Sequence, residues 1–226
     1  MKAHEVVMSW VTEGLSSGRL HIGDHLPSER ALAETLEVSR SSLREAMRVL
    51  EALGTIQTST GSGPRSGTIL TAAPEQALTL ALSMQLATRH VDHDHILEAR
   101  LLLESWAAMR SVTGAGDWAG ASELLDRMDD PDLAVESFLT LDAEFHVTLS
   151  HSAGNPLISS LMDAMRLTLA DHTVTLAKSL PDWETTAARL RTEHREILGS
   201  LQLGERDAAA QQLRAHIEGY FHETTR

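Results

Sequence analysis

Leu26-Pro27-Ser28-Glu29-Arg30-Ala31-Leu32-Ala33, then Val38-Ser39-Arg40-Ser41-Ser42-Leu43-Arg44-Glu45-Ala46 and Leu50-Glu51-Ala52-Leu53-Gly54, is the stretch whose reading decides the fold. Pro27-Ser28-Glu29 reads as a helix start. The Ser28 hydroxyl can accept from the free amides of the first turn, and the Glu29 carboxylate suits its positive end. Leu32 and Leu36 give this short helix a buried face. Glu37-Val38-Ser39 leaves room only for a turn. Between Ser41 and Leu53, Leu43, Met47, Leu50 and Leu53 recur at i, i+4, i+7 and i+10, one apolar stripe on a second helix. Two short helices across a tight turn predict a helix-turn-helix.

Upstream, Val6, Val7, Trp10, Val11 and Leu15 form another apolar stripe, closed by Gly18. Downstream, Thr55-Ile56-Gln57-Thr58 alternates and is β-branched. Ser59–Gly67 has loop composition, and Thr68-Ile69-Leu70-Thr71 alternates again, which predicts a hairpin with a long tip. The helix-turn-helix therefore carries a wing. Residues 1–71 form this first domain, 72–75 a linker and 76–226 a second domain, in which only helical patterns occur. These run over about 75–89, 93–113, 117–128, 131–151, 156–178, 182–202 and 205–223, punctuated by Gly114, Gly116, Pro131, Gly154-Asn155-Pro156, Pro181 and Gly204. The expected fold is mainly α: an N-terminal winged helix-turn-helix followed by an all-helical bundle.

Charge divides along the same boundary. The 226 residues carry a formal net charge of −13. Residues 1–75 hold 7 Lys/Arg and 9 Asp/Glu, net −2, whereas 76–226 hold 12 and 23, net −11. The acidic second domain cannot face phosphates, so any nucleic-acid contact belongs to a local basic stripe in the first domain. Arg40, Arg44 and Arg48 supply one at i, i+4 and i+8, opposite the apolar stripe. Ser39 and Ser41 sit at the same helix start, where hydroxyls and free amides suit phosphate oxygens. Arg side chains can read guanine edges in the major groove. Alone, such a stripe is also what a solvated helix face looks like; the turn before it and the Gly-rich wing after it favour double-stranded DNA. Arg30 lies beside the same groove, and Gly61 and Gly63 at the wing tip permit close backbone approach.

Other readings fall away. The absence of cysteine excludes disulfides, thiolate metal sites and cysteine nucleophiles. Gly61-x-Gly63-x-x-x-Gly67 has the wrong spacing for a phosphate cradle, and His4-Glu5-Val6-Val7-Met8 lacks the second His of a zinc-protease helix. With no apolar leader and no membrane-length run, the expectation is a cytoplasmic protein without a membrane partner.

In the second domain, Asp142 and His146 are i, i+4, and His194 and His216 follow 48 and then 22 residues later. Each falls on an apolar stripe: Leu139/Asp142/His146/Leu149, Leu190/His194/Ile197/Leu201, Leu213/His216/Tyr220. Inward imidazoles and a carboxylate need partners, and together they suit one divalent ion per chain, zinc first, nickel or manganese as alternatives. Arg100 is a second charge in an apolar stripe, Ile96/Arg100/Leu103/Ala107. It pairs along its helix with Glu104 or anchors an effector carboxylate beside the metal. Arg166 is a further candidate for the same cavity. The remaining histidines, including His93 and His172, read as ordinary surface or core residues.

The three segments quoted at the outset resemble the GntR family of bacterial regulators, over about residues 5–71. That resemblance implies operator contacts at Arg30, Arg40, Arg44 and Gly61; with Lys2, Ser39, Ser41 and Gly63 these are the candidate DNA-binding residues. The wing departs from the family's compact His-Gly-x-Gly form. Residues 75–222 are similar to the ligand domain of the family's FadR-type branch. This implies that Asp142, His146, His194 and His216 hold metal and that Arg100, in Glu98-Ala99-Arg100, meets a carboxylate. Over its whole length the chain looks most like the L-lactate-responsive repressors of actinobacteria in this family, implying a 2-hydroxy carboxylate effector such as L-lactate. The expectation is a homodimeric repressor on a pseudopalindromic operator. Effector binding would shift the population of its two heads away from the DNA-competent arrangement. Two alternatives stay open: a regulator that senses the metal itself, and a metalloenzyme domain fused to a DNA-binding head.

Overall fold

A computed structural model describes residues 3–59, 67–73, 75–114 and 116–224. The chain forms two compact units, Met1–Leu78 and Thr79–Arg226. The division falls inside helix α4 (Glu75–Ala87).

The first unit contains α1 (Ala3–Ser16), α2 (Glu29–Thr35), α3 (Arg40–Ala52), β1 (Ile56–Ser59) and β2 (Gly67–Leu70). Its core joins Val7 and Val11 of α1, Leu32 of α2, Leu43, Ala46, Met47 and Leu50 of α3, and Ile56 and Leu70 of the hairpin. The stripe spacing dictates this, since residues three and four apart share a helix face. Ser28 caps α2 by accepting from the Ala31 amide, and Ser39 caps α3 by accepting from the Ser42 amide. The turn between them is bought with strain at Glu37, whose φ is 53°, a left-handed conformation uncommon outside glycine. Gly54, at φ 68°, ends α3 without that cost. Its amide donates to Glu51 O (2.9 Å) and the Thr55 amide to Leu50 O (2.9 Å), which satisfies two of the helix's last carbonyls. The strands pair antiparallel from Ile56 with Leu70 to Ser59 with Gly67, and His25 bridges Ile69 beside them. The wing tip, with Gly61 and Gly63, lies outside the described residues, as does Lys2.

The second unit continues from α4 through α5 (His93–Arg110), α6 (Trp118–Met128), α7 (Val135–His151), α8 (Pro156–Lys178), α9 (Trp183–Leu203) and α10 (Arg206–Thr224). Helix α10 packs on α5 and α9, α7 on α8, α6 and α5, and α5 on α8. The main core gathers Leu125, Phe138, Phe145, Leu190, Ile197, Leu201 and Leu213. A smaller cluster joins Ile96 of α5 to Met162 and Met165 of α8. Two helix boundaries differ from the sequence reading. Helix α5 ends at Arg110, because Ser111 turns extended and the Val112 amide donates to Ser152 O (3.1 Å), tying the chain to the end of α7. Helix α7 begins at Val135 rather than near Pro131, since Ala134 is extended and the residues before it form a turn. No helix among the described residues is long and apolar enough to cross a membrane.

Candidate DNA interface and metal-effector site

On the outer face of α3, Ser39, Arg40, Ser41, Arg44 and Arg48 are all exposed. The serines serve the helix start: Ser39 Oγ lies 3.0 Å from Ser41 Oγ and donates to Ser42 Oγ (2.8 Å). The arginines are not equivalent. Arg44 donates through Nε to Glu29 of α2 (2.9 Å), a pair that spans the helix-turn-helix. Arg48 pairs with Glu45 (3.6 Å) and Arg30 with Glu34 (3.1 Å) along their own helices. Arg40 makes no ion pair among the described residues, so its guanidinium is the one on this face already available to an outside partner.

In the second unit, α7, α9 and α10 bring Asp142, His146, His194 and His216 together. One ligand atom from each lies within 4.8 Å of every other. His146 is 3%, His194 0% and His216 4% exposed, so these polar rings must be satisfied internally. Yet their Nε2 atoms face one another: His146 to His216 at 3.2 Å and His194 to His216 at 3.2 Å, with Asp142 Oδ1 3.1 Å from His194 Nε2. Converging imidazole nitrogens at this distance either share a proton in an N–H···N bond or take a cation among them. The two 3.2 Å separations fit a common ion, because two nitrogens bound at about 2.0–2.1 Å lie about 2.8–3.4 Å apart for octahedral to tetrahedral angles.

The outer ring nitrogens support the same fit. His146 Nδ1 is paired with Glu104 Oε2 at 2.5 Å, and His216 Nδ1 with Glu193 Oε2 at 2.7 Å. A carboxylate at Nδ1 keeps the proton there and turns the Nε2 lone pair inward, the arrangement that orients metal-binding imidazoles. His194 Nδ1 has no such partner. Burial alone would raise the Glu104 carboxyl, but His146 and Arg100 outweigh it and hold it at about 2. Burial likewise opposes the Asp142 carboxylate, and the three histidines reverse it to well below the usual range. Burial drives His216 down to about 4 despite Glu193, which favours the neutral, ligating imidazole. The Asp/His cluster can thus bind a metal ion.

A cavity opens beside the cluster, lined by Asp142, His146, His216, Arg100 and Tyr220 among others, with a volume of about 70 Å³. A second lobe of about 70 Å³ shares Arg100, Asp142 and His146 and reaches Arg166. Of the two readings the sequence left open for Arg100, the pair with Glu104 is present, and the side chain also faces the cavity where the second role would be played. Its Nε donates to Glu104 Oε1 (2.9 Å), and its side chain lines both lobes. Glu104 therefore joins the cavity arginine to His146 of the Asp/His cluster through its two oxygens. Arg166 lies in the second lobe only, its Nε donating to Asp163 (2.9 Å).

The sequence reading missed Glu104 as a shared partner, together with Glu193, Tyr220 and the His93–His172 pair. Those two imidazoles stack at 3.6 Å between centroids and line the first lobe. Tyr220 lies in the same stripe as His216, a signal that could have placed it. His93 and His172 stand on helices far apart in sequence and carry no such signal.

Comparison with known proteins fits both units. The model for bacterial regulatory proteins of the gntR family matches residues 4–65, and that of the FCD domain matches residues 95–219. The HTH-type transcriptional regulator LutR of Bacillus subtilis is 29% identical over 222 residues, covering 92% of this chain and 98% of that protein. A second Bacillus subtilis protein, the uncharacterized HTH-type transcriptional regulator YcbG, is 32% identical over 73% of this chain and 67% of its own length. The "Putative L-lactate dehydrogenase operon regulatory protein" of Escherichia coli is 27% identical, covering 91% and 79%. Among solved structures, a Streptococcus agalactiae GntR protein superposes with a TM-score of 0.64 at 25% identity, covering 96% of this chain and 97% of that one. With a winged helix-turn-helix head and an FCD domain that together account for most of its length, the chain belongs to the GntR family of bacterial transcriptional regulators, in its FadR-type branch.

Proposed function

We propose that this regulator is a homodimeric repressor whose grip on operator DNA is weakened by a short 2-hydroxy carboxylate, L-lactate or a close analogue. The observation that carries the reading is the cavity in which Arg100 stands beside the Asp142/His146/His194/His216 cluster. We assign one divalent ion per chain, zinc first, to those four residues. When bound, the ion supplies Lewis-acidic positions for effector oxygens. Arg100 does the recognising. Its Nε is fixed by Glu104, which leaves the two terminal nitrogens as a planar fork for a carboxylate. Apolar walls at Leu139, Leu169 and Leu190 suit a small carbon skeleton. The relative named for an L-lactate dehydrogenase operon supports lactate as the first compound to try.

The head reads DNA through α3, with Arg40 and Arg44 on the groove side and Arg30, Ser39 and Ser41 near the backbone. Lys2, Gly61 and Gly63 remain candidate contacts. Effector binding alters operator affinity only by as much as it distinguishes the two arrangements of the heads. A gel-shift titration on an operator fragment selected by the protein from random DNA tests the proposal. L-lactate should release the fragment while acetate and citrate at equal concentration do not. Release or binding that follows metal alone, with no carboxylate acting, would make this a metal-sensing regulator instead.

A further inference from the structure

Among the described residues, four buried side-chain atoms have no hydrogen-bond partner: Ser105 Oγ, His194 Nδ1, Gln212 Oε1 and Tyr220 Oη. Of these four residues, Tyr220 alone lines the cavity beside the metal cluster. Its oxygen lies within the electrostatic reach of Asp142, Glu223 and Arg100. Burial first, and then the Asp142 and Glu223 carboxylates, hold the phenol far above its ordinary range, so it stays a neutral donor. A buried hydroxyl without a partner costs about 1–3 kcal/mol, so its persistence points to a partner the protein itself does not provide. Two features of the cavity say what that partner is. Arg100 offers positive charge and free terminal N–H groups, and Tyr220 offers an O–H in the same cavity. An anion between them satisfies both, whereas a neutral or cationic group would leave the arginine fork unmatched.

We infer that the Tyr220 hydroxyl donates a hydrogen bond to the effector carboxylate that Arg100 binds, making Tyr220 a specificity-determining residue of the cavity. The inference rests on the proposed carboxylate effector and names its second anchor. The phenol stands on α10, one turn beyond the ligand His216, while Arg100 stands on α5. A carboxylate held by both side chains therefore ties α5 to α10 at the level of the metal cluster.

The variant Tyr220→Phe removes one oxygen and leaves the ring. Full-length, metal-loaded wild type and variant are titrated calorimetrically with L-lactate and with propionate, which lacks the 2-hydroxyl. Both are also melted without effector. The expected result is roughly a tenfold or greater loss of affinity for both acids in the variant, the scale of one hydrogen bond to a charged group. The effector-free melting temperature should be equal to or above that of wild type, because the lost hydroxyl had no protein partner. Wild-type affinity in Tyr220→Phe overturns the inference. So does a loss confined to L-lactate, which would move the bond to the 2-hydroxyl, or a lowered effector-free melting temperature, which would make the hydroxyl structural. If wild type itself binds no carboxylate, it is the proposed effector class that fails, a result distinct from all of these.

Discussion

Arg40 and Arg44 stand one turn apart on α3 and differ in what already holds them: Arg44 is engaged with Glu29, and Arg40 has no ion pair among the described residues. Arg40 can therefore turn to a base or phosphate without giving up a contact, whereas Arg44 must leave or share a carboxylate. Arg40→Ala should cost about 1–3 kcal/mol of specific operator binding without changing metal content, measured by fluorescence anisotropy at fixed salt. In the second unit, Arg100→Ala should bind operator but ignore L-lactate, and Arg100→Lys should not restore the response, because an ammonium offers no planar fork. The four candidate ligands were legible because each puts a polar group on an apolar stripe, and helical spacing alone reveals that. Glu104 and Glu193 were not legible. Their roles depend on which imidazole the neighbouring helix brings to them, at 2.5 and 2.7 Å, and sequence spacing does not encode that.

At the scale of elements, α9 contains one glycine and is closed by another, with opposite expectations. Gly199 lies within the helix at ordinary φ, and a Cβ there would meet nothing within 4 Å. Gly199→Ala should stabilise the helical unit by about 0.5–1 kcal/mol, since glycine loses more backbone freedom on folding. Gly204 closes the helix at φ 76° with the Glu205 amide donating to Ser200 O (2.8 Å), and an added Cβ would press on Thr113 Oγ1 at 3.3 Å. Gly204→Ala should destabilise by about 1–2 kcal/mol, the cost of forcing a side chain into the left-handed region. Urea unfolding of the two variants reads both signs in one experiment. The helices and the hairpin were legible from periodicity and punctuation. What the sequence did not mark was the early end of α5 and the late start of α7. The first is set by a hydrogen bond from Val112 to Ser152 across the fold, and such long-range ties override local propensity.

For the whole molecule, two compact units of unlike charge divide the work, an almost neutral head and an acidic helical unit. Three helices meet at the Asp/His cluster, so the ion should contribute to the fold of the second unit as well as to its ligand chemistry. His194→Ala should lose stoichiometric metal and lower the melting transition of the helical unit, with the head's transition unmoved; elemental analysis and differential scanning calorimetry of the full chain check both. Because the cavity arginine and a ligand histidine share Glu104, the effector and the ion should also strengthen each other's binding, a reciprocity that thermodynamic linkage requires. That coupling is the centre of the account, and isothermal titration of L-lactate into the full chain measures it most directly, first metal-loaded, then stripped by a chelator, then reloaded. The account predicts one site per chain in the loaded protein, binding that disappears on stripping, and recovery on reloading. Equal lactate affinity with and without the ion, or no lactate binding by the loaded protein, would contradict it.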